Sequence, residues 1–437
     1  MCFNERANLV PSAFIRYLTV VIMVVPLIIF AACSEQTEGA GQSVNSVHGS
    51  SGDVWIVEND SPHWHEGLAW RVDQEAEVKI GAASGPAEYL LHDVINAIQL
   101  EDNSIAIADG GSRKIRIYDE DGRHILDLGG PGGGPGEFAM LSMIGRVDDN
   151  AIGAWDSRQK RLTIFDYGGR VRREATIERL TGLVVPAVGW FKDGSVLITP
   201  GFNAQDLLAI DSGEYRGDNH FIRVRLSGEV DTVAVLRGRE NYMIRQGRSG
   251  QRSPILFGRD SHAAVGSNTF FVGESDAFEI QERLLDGAVR RIIRVAARAR
   301  SITTDDLARA KQEAHEASSA RANLMGAIGR GLDNAGGSEV PHRETLPFFD
   351  RMIVDRVQHL WVREFAFQNE TQRWQVFDPE GAWLGTVTTP KGVNITDIGS
   401  NYVIGIVKDE LGVQRVHVHR LHRLRTASPP HPPARSR

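Results

Sequence analysis

Apolar and polar positions fall into the same order twice between residues 103 and 169. NSIAIADGGSRKIRIYDEDG, beginning at Asn103, and NAIGAWDSRQKRLTIFDYGG, beginning at Asn150, align without a gap at an offset of 47. In each, an apolar stretch ends in an acid, Asp109 or Asp156. Alternating positions follow, Ile115-x-Ile117 or Leu162-x-Ile164, then an aromatic-Asp pair and a glycine, Gly122 or Gly169. Alternation at period two predicts β-strands with one apolar face turned inward. Asp-x-x-Gly after the aromatic predicts a hairpin, since glycine reaches the positive φ that a tight turn needs. Each unit is expected to be a meander of short antiparallel strands, which needs stacked copies to cover its faces and edges.

Fainter copies follow along the chain. Lys192-Asp193-Gly194 opens SVLIT, and a turn comes at Ser227-Gly228; Gly266-Ser267-Asn268 opens TFFVG, with a turn at Asp286-Gly287. Asp355 to Gln358 precedes HLWV, with a turn at Asp378 to Gly381; Gly399-Ser400-Asn401 precedes YVIGIV, with a turn at Asp409 to Gly412. That makes six paired units, and an all-β, six-bladed β-propeller over residues 54–424 is the expected fold. The stretch 54–81, with VWIVEN and AWRVDQEAEVKIG, is left over and is expected to close the ring by joining the last blade. Residues 301–339 break the β pattern. Thr303-Thr304-Asp305-Asp306 resembles a capping box, and the Ala-rich stretch after it predicts a helical insertion between the fourth and fifth blades, placed over one rim.

Between the first two units lies Gly129-Gly130-Pro131-Gly132-Gly133-Gly134-Pro135-Gly136-Glu137-Phe138. A blade ending in aromatic-Asp-x-x-Gly, followed by this GPGEF loop, resembles NHL-repeat propellers, and in particular the six-bladed propeller lipoproteins of environmental bacteria. The resemblance implies that the glycine run is an inter-blade connection. As a phosphate cradle the run lacks a closing Gly-Lys-Ser/Thr and a following helix.

Upstream of the propeller, Arg6 and Arg16 precede an apolar run from Tyr17 to Ala32, sixteen residues long and interrupted by Pro26. A spanning helix needs about 20 apolar residues, whereas a basic start, a run of this length and a small-residue exit are signal-peptide features. Ala31-Ala32-Cys33 resembles the lipobox of bacterial lipoproteins, with Phe30 where an aliphatic residue is usual. The resemblance implies that Cys33 is the lipidated first residue of the mature chain, and Ser34 after it points to the outer membrane of the cell envelope. An uncleaved anchor helix, or ordinary signal cleavage nearby, is the alternative. Acyl chains at roughly 0.8 kcal/mol per buried CH₂ would hold such a protein to a membrane. Residues 34–53 are small and polar and predict a tether; the Pro-rich end, 425–437, predicts a disordered tail.

Composition narrows the partners. The formal net charge is −7, and without residues 1–32 it is −8, from 47 basic against 55 acidic side chains. An acidic body argues against nucleic acid, which wants a basic surface. The two cysteines, Cys2 and Cys33, leave one after leader cleavage, so no intramolecular disulfide is expected.

The candidate chemistry is thin. His63-Trp64-His65-Glu66 has metal-ligand residue types but sits beside Ser61-Pro62, where an exposed polar loop is expected. His417 and His419 alternate with Val416 and Val418, with His422 beyond, and predict the solvated face of a strand. Arg290, Arg291, Arg294, Arg298 and Arg300 likewise predict a solvated face. Asp109 and Asp156 are expected to be structural, taking backbone N–H groups or an arginine. Trp155, Trp190, Trp361, Trp374 and Trp383 are expected between blades. No Gly-x-Ser-x-Gly, HExxH, heme or quinone signature occurs, so no catalytic residue, metal site or cofactor is assigned.

The expected function is therefore an envelope-anchored binding or scaffold module for a protein, peptide or glycan. The alternative is a calcium-dependent hydrolase of lactones or phosphoesters, working in the central channel. It requires three or four carboxylate or amide oxygens converging on one point, and Asp93, Glu137 and Asp350 are the nearest candidates.

Overall fold

The computed structural model describes residues 46–51, 54–64, 69–148, 150–180, 184–200, 210–246, 249–325, 341–367 and 370–423. The expected leader, Cys33, most of the tether and the tail lie outside them. Among the described residues the chain forms six antiparallel meanders. The first blade runs Val94–Gln99, Ile105–Asp109, Lys114–Tyr118 and His124–Gly129, and the second Leu141–Asp148, Ala151–Asp156, Arg161–Asp166 and Val171–Thr176. The third begins at Ala187–Trp190, the fourth at Ser261–Val265, the fifth at Arg351–Val354 and the sixth at Asn394–Ile398. These six opening strands touch in succession and the sixth returns to the first, so the ring is closed: a six-bladed β-propeller.

The repeat is visible as geometry. Gly122, Gly169, Gly228, Gly287, Gly381 and Gly412 close the outer hairpin of successive blades, all with φ between 82° and 91°. In the first, Gly122 N–H donates to Asp119 O at 3.0 Å, while the Asp119 carboxylate accepts Arg123 N–H at 2.7 Å. A side chain with Cβ would strain each of these turns.

Burial departs from the expected single apolar face. In the alternating strands, residues 115–118 and 161–165 are buried without a break, as are all of Ile105–Asp109 and Ala151–Asp156. The second strand of a blade is covered by neighbouring blades on both sides, so alternation is replaced by a continuous apolar run. One core joins the first and second blades through Ile115, Leu128, Phe138 and Phe165; another joins the second and third through Trp155, Leu162 and Trp190. Trp361 and Trp374 lie between the fifth and sixth blades. The GPGEF loop connects the first two blades: Phe138 is fully buried, its ring 6.1 Å from that of Phe165, and Arg161 donates to Gly133 O at 3.1 Å.

The leftover segment divides. Arg71–Val72 and Val78–Ile80 pair antiparallel with Gln414–His422, the last strand of the sixth blade. Val54–Asn59, expected there too, instead adds in parallel to Val289–Val295, the outer strand of the fourth blade. Asn59 secures it: its side-chain amide donates to Arg294 O and Gly381 O, both at 3.1 Å, and accepts Trp383 N–H at 2.8 Å. The exposed outer edge of Val289–Val295 offered an unpaired ladder, and an apolar strand with an inward Asn satisfies it.

The α-helix Thr304–Met325 follows the last strand of the fourth blade and precedes the first of the fifth. Thr303 and Asp306 form the reciprocal cap, with Asp306 N–H donating to Thr303 Oγ1 at 3.1 Å and Thr303 N–H to Asp306 Oδ2 at 2.9 Å. Leu307 and Ala310 rest on a small cluster of Phe257, Leu346 and Phe367, and Arg309 lies 4.2 Å over the Phe367 ring. Residues 326–339 of the expected insertion lie outside the described residues.

Candidate functional site: the central channel

The opening strands of the first five blades line a cavity of about 660 Å³. Its wall is built where blade-to-blade equivalents meet. Asn96 and Met143 occupy positions 47 apart in the first two blades, and the Asn96 amide donates to the Met143 sulfur at 3.4 Å. Gln99 and Arg146 are likewise 47 apart, and Arg146 Nη1 donates to Gln99 O at 2.8 Å.

Arginines hold most of the acids in and around this wall. Arg146 donates both terminal nitrogens to Asp397, which also accepts Tyr402 O–H at 2.9 Å and Gln99 N–H at 3.0 Å. Burial alone would disfavour the Arg146 charge, but Asp397 outweighs it and holds the guanidinium above its ordinary value. Burial, followed by the Asp397 charge, pushes the Tyr402 phenol up. Arg356 pairs with Glu101, and Arg363 Nε donates to Asp350 at 2.6 Å. Asp355 has no exposed side-chain surface and accepts Arg423 at 2.7 Å and the Trp361 indole N–H at 3.0 Å. Burial would raise the Asp355 carboxyl, yet the His359 hydrogen bond and the Arg423 charge hold it below the usual range.

His262 and Arg351, also in the lining, have no such acid partner among the described residues. Burial pushes the His262 imidazole down, leaving it neutral at pH 7. Arg351 has no carboxylate within ion-pair distance among the described residues; its guanidinium donates to Asn394 Oδ1.

Of the three carboxylates proposed for a metal, Asp350 lines the channel and is occupied by Arg363, while Asp93 and Glu137 are not part of the wall. Asp93 precedes the first blade with φ of 55°, and Glu137 accepts Gly134 N–H at 2.8 Å inside the glycine-rich loop. Among the described residues, no three His, Cys, Asp or Glu side chains converge as metal ligands.

Asp156 and Asp109 are structural. Asp156 accepts four backbone N–H groups, from Ala139, Met140, Arg158 and Gln159 at 2.6–3.0 Å. Asp109 takes Arg116 Nε at 3.1 Å and the backbone N–H groups of His92 and Ser112. His63 and Trp64 donate their backbone N–H groups to Trp383 O and Leu384 O of the fifth blade; His65 and Glu66 lie outside the described residues.

The histidines of the last strand are not solvated as expected. His419 is buried and its Nδ1 lies 3.0 Å from Asp73 O, while His422 Nε2 lies 2.8 Å from Asp73 Oδ2. The closing segment covers that face, which alternation within the strand does not disclose. Burial, then the neighbouring His419, pushes His417 down to about 4. The arginine run keeps a largely solvated face, with Arg298 and Arg300 exposed, while its strand members meet acids. Arg290 and Arg291 share the buried Glu282, and Arg294 bridges Glu279 and Glu58.

Arg146, Asp397 and Arg351 carry no sequence signature. Their significance comes from neighbours on other blades.

A family described as a 6-bladed beta-propeller, DUF5128, matches residues 86–185, the span of the first two blades. No curated protein matches the chain. Among solved structures, a protein from Bacteroides fragilis described as exported is 12% identical, with 84% of this chain and 99% of that one covered and a TM-score of 0.44. A member of the DUF4221 family from Bacteroides vulgatus is 10% identical over 82% and 99%, with a TM-score of 0.46. A gluconolactonase from Xanthomonas campestris is 13% identical over 80% and 100%, with a TM-score of 0.38.

Proposed function

We propose that this chain is an exported propeller of the NHL-like lipoprotein kind. It is anchored by a lipid on Cys33 in the outer membrane and serves as a binding or scaffold module for a protein, peptide or glycan. The rim beside the helix Thr304–Met325 is the face it would present. The observation that carries the reading is the pairing inside the channel. Asp350, Asp355, Asp397 and Glu101 are each engaged by an arginine, an arrangement that rigidifies the ring and leaves none of these four carboxylates free for catalysis.

Calcium-dependent hydrolysis of a lactone or phosphoester is the alternative, and it needs channel oxygens unclaimed by cations. The test is the metal content and chelator response of the purified full-length protein. A metal-free protein whose melting temperature is indifferent to chelation is expected. Stoichiometric calcium, with a melting temperature that falls on chelation, would overturn the binding-module reading in favour of the hydrolase.

A further inference from the structure

Arg351 opens the innermost strand of the fifth blade and stands directly opposite Arg363 on the next strand. Side chains directly opposite on antiparallel strands share a face with Cβ atoms about 5 Å apart, so like charges there repel. One carboxylate serves the two arginines: Asp350 accepts Arg363 Nε at 2.6 Å. Arg363 is further engaged over the Trp374 ring, 5.9 Å from its centroid. Arg351 has the neutral Asn394 carbonyl oxygen, and no carboxylate within 4.0 Å among the described residues. Burial, then Arg363, pushes its guanidinium down to about 10 against the pull of Asp350, which still leaves it charged at neutral pH. Arg146 and Arg356 in the same wall have Asp397 and Glu101. Arg351, a partly exposed lining residue, is thus a positive charge with no acid partner among the described residues, facing a cavity of about 660 Å³. A guanidinium that faces a cavity without an acid of its own is open to an anion entering from solution.

We propose that Arg351 anchors an anion site in the channel and that the ligand is a small carboxylic acid. A guanidinium offers a planar fork of donors that a carboxylate meets with two parallel hydrogen bonds. Two arginines and one aspartate leave a surplus of one charge, which a monoanion neutralises and a dianionic phosphate would overshoot. Ile353, Val188 and Ala264 line the same cavity and suit a carbon body, while Asn394, outside the lining, accepts from Arg351. The inference rests on the reading of the chain as a binding module and names the chemistry of a ligand for it.

The test is thermal melting of the full-length protein titrated with butyrate at fixed ionic strength. Inorganic phosphate and chloride serve as comparators, for the wild type, R351Q, R351K and N394A. Butyrate is expected to raise the melting temperature saturably. R351Q should bind at least about tenfold more weakly, as loss of hydrogen bonds to a charged group implies. Without ligand R351Q should melt no lower than the wild type, because the surplus charge is gone. R351K, charged but without the fork, should fall between the two, and N394A should bind within a few-fold of the wild type. No saturable shift with butyrate, an equal shift in R351Q, or a preference for phosphate would each overturn the carboxylate site. The chelator response of the same samples judges the binding-module reading separately, so a failure here is distinguishable from a failure there.

Discussion

Arg146 and Asp397 meet in a two-bond fork, at 2.9 and 3.0 Å, although 251 residues separate them. Arg146 belongs to the second blade and Asp397 to the sixth, so the pair reaches across the first. On the way it collects Gln99: the backbone N–H donates to Asp397 and the carbonyl accepts from Arg146. Three consecutive blades are tied at the channel wall where the two ends of the ring meet. A planar fork against a buried carboxylate with further donors satisfied is the geometry in which an ion pair withstands desolvation.

Asp397→Asn should therefore leave Arg146 with its charge uncompensated. A loss of about 3 kcal/mol is expected, in line with breaking one side of a buried pair. Chemical denaturation of the variant and the wild type measures it. A change within the range of an ordinary surface substitution would show that the fork contributes nothing to closure.

Trp190 lies against two glycines of the second blade. A Cβ at Gly145 would meet its Cδ1 at 2.5 Å, and one at Gly153 its Cε3 at 2.6 Å. Neither glycine has positive φ, so the close approach of the indole is the reason for both. Gly153→Ala should cost about 1–3 kcal/mol through overpacking. A change in tryptophan fluorescence should accompany it, and unchanged emission with unchanged stability would contradict the contact.

Acid should loosen the closing strand. His417 is pushed down to about 4 from an ordinary 6.5 by burial, by His419 and by the charges of Lys79 and Arg415; His419 is pushed down as well, despite the Asp73 and Glu75 backbone groups that favour its charge. A base whose folded value is depressed takes up more protons when unfolded. Its contribution is complete above the unfolded value, so stability falls as pH drops from about 6.5 towards about 4 and then levels. His262, also depressed, adds with the same sign. Denaturation midpoints across that range should show the slope, and H417Q/H419Q should flatten it. A slope equal in the double variant would remove these two histidines as its source.

If Cys33 carries the lipid, Cys33→Ser should abolish incorporation of a labelled fatty acid and move the protein from the membrane to the soluble exported fraction. Labelling that persists in the variant would place any lipid elsewhere.

Much of the architecture was legible in the residues themselves. The 47-residue echo, the aromatic-Asp-x-x-Gly turns and the glycine-rich connection are local features, fixed by backbone conformation and strand period. Their six-fold recurrence therefore predicted six meanders before any contact was known. Asp156 and Asp109 were legible for the same reason, since an acid at the end of a strand meets the turn that follows it. What the line of residues did not contain is every relation between blades. Val54–Asn59 and Val78–Ile80 are both short apolar strands, and only the free edges offered by the fourth and sixth blades sent them to different sheets. His417 and His419 alternate like a solvated face until the closing segment covers them. Arg351 looks like any arginine opening a strand; only the folded fifth blade shows that Asp350 is already committed to Arg363 on the next strand. Period and turn chemistry act over a few residues, so the sequence determined the blades. Charge balance and burial are sums over whatever the closed ring brings near, and those only the tertiary structure decided.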